Sequence, residues 1–298
     1  MEDAGSPDVS IPVAVRVHLS HPAIEVLALE AGVDLLHIKG PALLPGLRPP
    51  GRSSTDVDVL VAPGDVSRLE QALARHGWDR RSTYDTGSAF RHASNWFHGN
   101  WGYVDVHALW PGPRATPAEV YAEFAAGGLV QEIGHFPCRV PNRTAQILIL
   151  VLHAARSIGS SSDLEVAWYG ASDEDRAQAR AMAQRLRAET AMAAGLGELD
   201  ATDADRTADL WRYYAGGGGT RLDEWRARLR AADTRREWFR VLGDAVLVNR
   251  DYLRMELGHP PTTREVAVRQ WQRVRVLGGE VAGAVRHRVG RRLRRGER

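Results

Sequence analysis

Residues Thr55-Asp56-Val57-Asp58-Val59-Leu60-Val61 set two carboxylates into an otherwise apolar run. Side chains on a strand alternate with period two, so this run predicts a strand with Asp56 and Asp58 on one face and the valines on the other. Two carboxylates facing the same way repel each other, which is costly unless a cation lies between them. Magnesium carrying a substrate phosphate is the usual cation for such a pair. A fold containing this strand has to bury one face and leave the other open to a ligand.

A third carboxylate is expected from a neighbouring strand, because two-metal phosphoryl chemistry needs one more ligand. Tyr103-Val104-Asp105-Val106-His107 supplies it, with Asp105 flanked by apolar residues and His107 two positions on, on the same face. Upstream, Lys39 is the one lysine of a chain with 38 arginines, and it stands in His37-Ile38-Lys39-Gly40-Pro41. Glycine after a strand lets backbone N–H groups approach a phosphate. Lys39 adds a point charge suited to phosphate oxygens. Arg52, just before Ser53-Ser54-Thr55-Asp56, offers a bidentate phosphate contact. Lys39, Gly40, Arg52, Ser54 and His107 are thus nucleotide-binding candidates, and Asp56, Asp58 and Asp105 the metal-binding and catalytic ones.

Periodicity places these residues in a mixed α+β region. A short helix over 24–31, a strand over 33–38, a Pro/Gly-rich loop over 41–54 and the Asp-x-Asp strand come first. A helix with Val66, Leu69 and Leu73 on one face follows, then strands over 78–84, 89–97 and 103–109, with Gly99-Asn100 as a turn. Beyond about residue 140 the pattern is helical: 144–156, 173–196, 222–229 and 236–257. A capping-box pattern at Thr262-x-x-Glu265 opens a last helix, and Gly216–Gly219 reads as a loop. The expected division is 1–137 for an α+β domain with a mixed sheet and 138–298 for an all-helical one.

The single cysteine, Cys138, excludes an internal disulfide, no apolar run approaches the ~20 residues of a membrane span, and charged residues interrupt 11–36 too often for a signal peptide. The expectation is a soluble cytoplasmic protein. Residues 264–298 carry eleven arginines and three glutamates, a net +8, which leaves −6 for the rest. This basic tail is a candidate contact for an anionic partner, RNA or a membrane surface. His92, His98 and His107 are spaced for alternating strand faces rather than as a compact zinc set.

Taken together, Lys39-Gly40, the Pro/Gly-rich loop, Arg52-x-x-x-Asp56-x-Asp58-x-Leu60-Val61, a helix ending in Gly77-Trp78 and Val104-Asp105-x-His107-x-x-Trp110 resemble the uncharacterised nucleotidyltransferases of the DNA polymerase β-like superfamily. The likeness spans roughly residues 30–112. It implies a magnesium-dependent enzyme that moves a nucleoside monophosphate from a nucleoside triphosphate such as ATP to a hydroxyl or phosphate acceptor, releasing pyrophosphate. It further implies that Asp56 and Asp58 bind two magnesium ions, that Asp105 binds the catalytic one and helps deprotonate the acceptor, and that Lys39-Gly40 forms the triphosphate-facing turn. The helical domain would shape the site of an unidentified acceptor, whether small molecule, peptide or RNA. Pro41 departs from the superfamily's usual Gly-Ser or Gly-Gly turn, and Arg48 and Arg52 both suit the family arginine, with spacing favouring Arg52. Three alternatives stay open: transfer of another activated group, such as a sugar, in natural-product or polysaccharide tailoring; toxin-like nucleotidylation of a transfer RNA or protein; and a non-catalytic nucleotide-binding module.

Overall fold

The computed structural model describes residues 11–87, 89–157, 161–200, 203–216, 218–276 and 278–279; the arginine-rich stretch 286–298 lies outside them. Helix α1 (Val13–Ala31) ends at Gly32 in the left-handed conformation and leads into β1 (Leu35–Ile38). Then come β2 (Asp56–Val61), α2 (Val66–Arg75), β3 (Asp79–Ser82), the single turn α3 (Tyr84–Gly87), β4 (Ala93–His98) and β5 (Gly102–His107). The five strands form a sheet of order β1-β2-β5-β4-β3. Only β2 and β5 run parallel, with the other pairs antiparallel, so the sheet is mixed as expected.

Alternation divides the sheet into two faces. Leu35, Val57, Val59, Val61, Val104 and Val106 pack with Val17, Ile24, Leu27 and Ala28 of α1 and Leu69 and Leu73 of α2. This apolar side carries the stability, at roughly 1.5–3 kcal/mol per large aliphatic side chain removed from water. The opposite face takes the even-numbered residues of β2 and the odd-numbered residues of β5, including every acid of the Asp-x-Asp pattern.

The helix expected over 24–31 is longer. It starts at Val13 and runs through Pro22, because burial of Val17, Ile24 and Ala28 on one side outweighs the hydrogen bond that proline removes. Residues 117–140 add elements that periodicity does not predict. They form α4 (Pro117–Ala125), opened by a Thr116/Glu119 capping box, and a hairpin of β6 (Leu129–Ile133) and β7 (Phe136–Val140) that packs on α1 and β1. Its two-residue turn, Gly134-His135, has both φ values positive, as a type I′ hairpin turn requires.

Helix α5 (Arg143–Ala154) is followed by α6 (Ser161–Leu164), a π-helical turn over Glu165–Tyr169 and α7 (Asp173–Arg185). The helix expected over 173–196 is broken at Arg187, whose φ is 55°, and resumes as α8 (Glu189–Gly195). Helix α9 (Ala208–Ala215), α10 (Arg221–Ala231), α11 (Arg235–Val246), α12 (Arg250–Leu257) and a helix over 263–276 complete the described chain. The pattern over 236–257 is thus two helices, the second capped by the Asn249 side chain. The Thr262/Glu265 box forms as read.

By contacts the chain makes two compact units, Met1–Leu152 with Ser160–Glu189, and His153–Gly159 with Thr190–Arg298. The first therefore contains α7 and most of α5 in addition to the sheet. In the second, Trp225 lies under the Arg228 guanidinium at 4.5 Å, and Tyr214 links Glu224 to Arg228 by hydrogen bonds of 2.9 Å each. Among the described residues no helix is long and apolar enough to cross a membrane.

Gly134 is required for a second reason. A Cβ there would stand 2.8 Å from the His18 carbonyl oxygen and 3.1 Å from Pro22 Cγ. Gly134→Ala is expected to cost about 1–3 kcal/mol, read as a lowered urea midpoint with unchanged m-value.

Candidate active site

The parallel register of β2 and β5 sets Asp58 directly beside Asp105, with Asp56 one pair further along on the same face. On the other side of Asp58 stands Ile38, the last residue of β1. There the backbone turns sharply. Lys39 adopts φ 59°, ψ −178°, a conformation nearly confined to glycine, and Gly40 follows with φ 54°. The outcome is an ammonium 2.8 Å from Asp58 Oδ1. His107 Nε2 reaches the same oxygen at 2.8 Å from β5. Trp110 floors this cluster, its ring 5.7 Å from Lys39 Nζ and 5.1 Å from the His107 ring.

The three carboxylates differ in electrostatics. Burial pushes the Asp58 carboxyl up, but the Lys39 charge and the His107 hydrogen bond outweigh it and hold the group well below the usual carboxylate range. Asp105 has no such partner. Burial first, then the negative charges of Asp58 and Asp56, push it up to about 7, although the Asn95 amide donates to it. Burial and the Asp58 charge likewise raise Asp56. One ligand atom each from Asp58, Asp105 and His107 lies within 4.8 Å of the other two. The cluster carries more negative charge than its own cations neutralise, and hard carboxylate oxygens are the donors magnesium takes.

Basic side chains gather at the turn. A Cβ on Gly40 would lie 2.6 Å from Ser54 Oγ, so only glycine lets the loop close here. Arg48 donates to that hydroxyl at 3.3 Å. Arg52 instead pairs with Asp163 at 2.8 Å and donates to Ser162 at 2.6 Å. Burial raises the Asp163 carboxyl, and Arg52, Arg48 and Lys39 pull it back. This acid thus lies within the field of three cations. Two glutamines pin the turn: Gln131 donates to the Pro41 carbonyl at 2.9 Å, while Gln146 donates to the Ala42 carbonyl and accepts from the Leu44 N–H.

A family model described as "Uncharacterised nucleotidyltransferase" matches residues 21–199, more than half of the chain and all of the site residues named above. The chain belongs to this family, and it is a nucleotidyltransferase. A comparison with curated proteins finds no match. Solved structures give distant likenesses. The antibiotic-resistance factor ANT(2'')-Ia in its solution structure is 17% identical, with 60% of this chain and 96% of that one covered and a TM-score of 0.41. The lincosamide antibiotic adenylyltransferase LnuA is 13% identical, covering 55% and 94% at a TM-score of 0.33. An antigenic nucleotidyltransferase-like protein from Paracoccidioides brasiliensis is also 13% identical, covering 60% and 93% at 0.36.

In this nucleotidyltransferase, Asp56, Asp58, Asp105, His107, Lys39, Gly40 and Ser54 all meet on one face of the sheet or at the turn beside it. Arg52 is nearby but bound to Asp163, and Arg48 is the arginine that contacts Ser54. Local sequence pattern does not point to Asp163, Gln131 or Gln146 as parts of the site. Ser162-Asp163 followed a glycine-serine stretch that reads as a joint, and no local pattern links it to residue 52. Gln146 did leave a signal: an amide within an apolar helical run needs a buried partner.

The raised Asp105 pKa has a consequence for stability. Between the unfolded value of 3.8 and about 7, the folded protein holds a proton that the unfolded chain has released. The contribution is therefore lost as pH rises through that window. Asp105→Asn removes it. In metal-free protein the variant should gain stability relative to the parent from pH 5 to pH 8 in urea titrations; a pH-independent difference would contradict the assignment.

Proposed function

We propose that this chain transfers a nucleoside monophosphate from a nucleoside triphosphate to a hydroxyl or phosphate acceptor, releasing pyrophosphate, with magnesium held by Asp56, Asp58 and Asp105. One observation carries the reading: three carboxylates share a sheet face beside a turn bearing Lys39, Arg48 and Arg52. Such a site suits a metal-bound polyphosphate, since the acids accept the cation and the bases the phosphate oxygens. Bound there, magnesium would polarise the α-phosphate and lower the barrier to attack.

The protein groups then have distinct tasks. Asp58, kept ionised by Lys39 and His107, is a ready metal ligand. Asp105, ionised once the cation offsets the repulsion from Asp58 and Asp56, accepts the proton of the attacking hydroxyl. The acceptor oxygen bonds to the α-phosphorus, the bond from that phosphorus to the oxygen bridging to the β-phosphate breaks, and pyrophosphate leaves. Gly40 allows the turn close to the phosphates, Arg48 and Ser54 border it, and Arg52 exchanges Asp163 for a phosphate oxygen. Most of the acceleration comes from placement and charge neutralisation.

Incubation with magnesium and each labelled triphosphate, alone and with cell extract, identifies the donor and the acceptor class. Magnesium-dependent pyrophosphate release is expected, falling by about two to three orders of magnitude in Asp58→Asn. No release with any of the four nucleotides would refute the proposal. Arg48→Ala and Arg52→Ala are each expected to raise KM for the triphosphate about tenfold or more, the equivalent of one lost charged hydrogen bond, with smaller changes in kcat.

A further inference from the structure

Behind the carboxylate face, on the side of the sheet that packs against α1, lies a second cluster of metal-ligating side chains. His37 pairs in register with Val59 and so points away from Asp58. Its Nε2 is 2.8 Å from Glu25 Oε2 of α1, and Cys138 of β7 stands beside them. One ligand atom from each of Glu25, His37 and Cys138 lies within 4.8 Å of the other two. All are sequestered, at 6%, 0% and 0% exposure. His21, 1% exposed, faces the second nitrogen of His37, the two Nδ1 atoms being 2.8 Å apart.

We propose that Glu25, His37 and Cys138 form a metal site for zinc, tying α1, β1 and the β6–β7 hairpin together directly upstream of the Lys39-Gly40 turn. The donor set decides the metal. Imidazole nitrogen with cysteine sulfur suits zinc and excludes magnesium, which takes oxygen ligands. Tetrahedral zinc needs donor-to-donor separations of roughly 3–4 Å, and the cluster meets this with shifts of an ångström or so. A water would complete the coordination.

The imidazole pair prepares the site. A single proton is shared between the facing Nδ1 atoms. With it on His21, His37 Nε2–H donates to Glu25 and the cluster is metal-free. With it on His37, the Nε2 lone pair, the Glu25 carboxylate and the sulfur converge on one point, and His21 becomes the hydrogen-bond acceptor that a metal-bound imidazole usually has. As the Nδ1 proton passes from His21 to His37, His37 Nε2 gives up its proton and His21 Nε2 takes one up, so both rings stay neutral, while the thiol proton leaves to solvent as the sulfur–metal bond forms. Carboxylate and thiolate together neutralise the dication, which offsets much of the penalty for a buried charge.

Cys138 is the only cysteine of the chain, which makes the test specific. Full-length protein, stripped with a chelator, is titrated with Co2+ and followed by absorption. One equivalent should give a thiolate-to-cobalt charge-transfer band in the near ultraviolet, bleached by Zn2+, retained in Asp58→Ala and lost in Cys138→Ser. Absence of the band in the parent protein, where folding is not in question, or its persistence in Cys138→Ser, overturns the proposal. Zinc should also raise the melting temperature of the parent and leave that of Cys138→Ser unchanged, with far-ultraviolet circular dichroism establishing that the variant is folded.

Discussion

The contact between Lys39 and Asp58 is the constraint on which the site is built. Asp58 is almost wholly buried in the middle of the sheet, with Asp105 directly beside it and Asp56 two residues away. Leaving such a charge without a partner costs about 3–5 kcal/mol. Holding Lys39 in a glycine-like conformation costs about 1–3 kcal/mol. The ion pair therefore outweighs the strain, and the backbone accepts a distorted residue where β1 ends. The distortion also opens the following turn, at Gly40, toward the carboxylates. Ionisation of Asp58 and the position of the Lys39-Gly40 turn thus have one cause.

The two faces of the sheet divide the labour. The valine side packs on α1 and α2 and holds β2 and β5 in register to within a residue, since a slip of one would exchange the acids with the core. The acid side is then free to be electrostatically unfavourable in the absence of a ligand. Lys39 and His107 bond directly to Asp58, whereas Lys39 eases Asp105 only weakly through its field, so burial and the neighbouring acids push Asp105 up to about 7. A cluster that is under-neutralised by its own residues has most to gain from a bound cation.

Contacts from distant parts of the first unit rigidify the turn. Gln131 comes from the β6–β7 hairpin, Gln146 from α5 and Asp163 from α6, and each satisfies a group between residues 41 and 52. The hairpin has a further bearing through Cys138, which it brings against Glu25 and His37. A zinc ion there would fix β1 from behind while Lys39 and Asp58 fix its end from the front.

By itself the sequence determined the Asp-x-Asp strand, the third acid on a neighbouring strand, the turn at the lysine-glycine pair and the mixed α+β architecture with helices following. These are legible because each rests on a local rule: period-two alternation, the conformational freedom of glycine, or repulsion between acids two residues apart. Tertiary structure alone decided that Arg48 rather than Arg52 meets Ser54, that Asp163 occupies the field of the basic cluster, and that α1 extends back to Val13 across Pro22. It also decided that residues 129–140 form a hairpin carrying Gln131 and Cys138 to β1. Most of those outcomes depend on side chains distant in the chain becoming neighbours, as Gln131 and Pro41 do across 90 residues and Arg52 and Ser162 across 110. Burial and hydrogen-bond satisfaction between such partners leave no periodic trace in either segment.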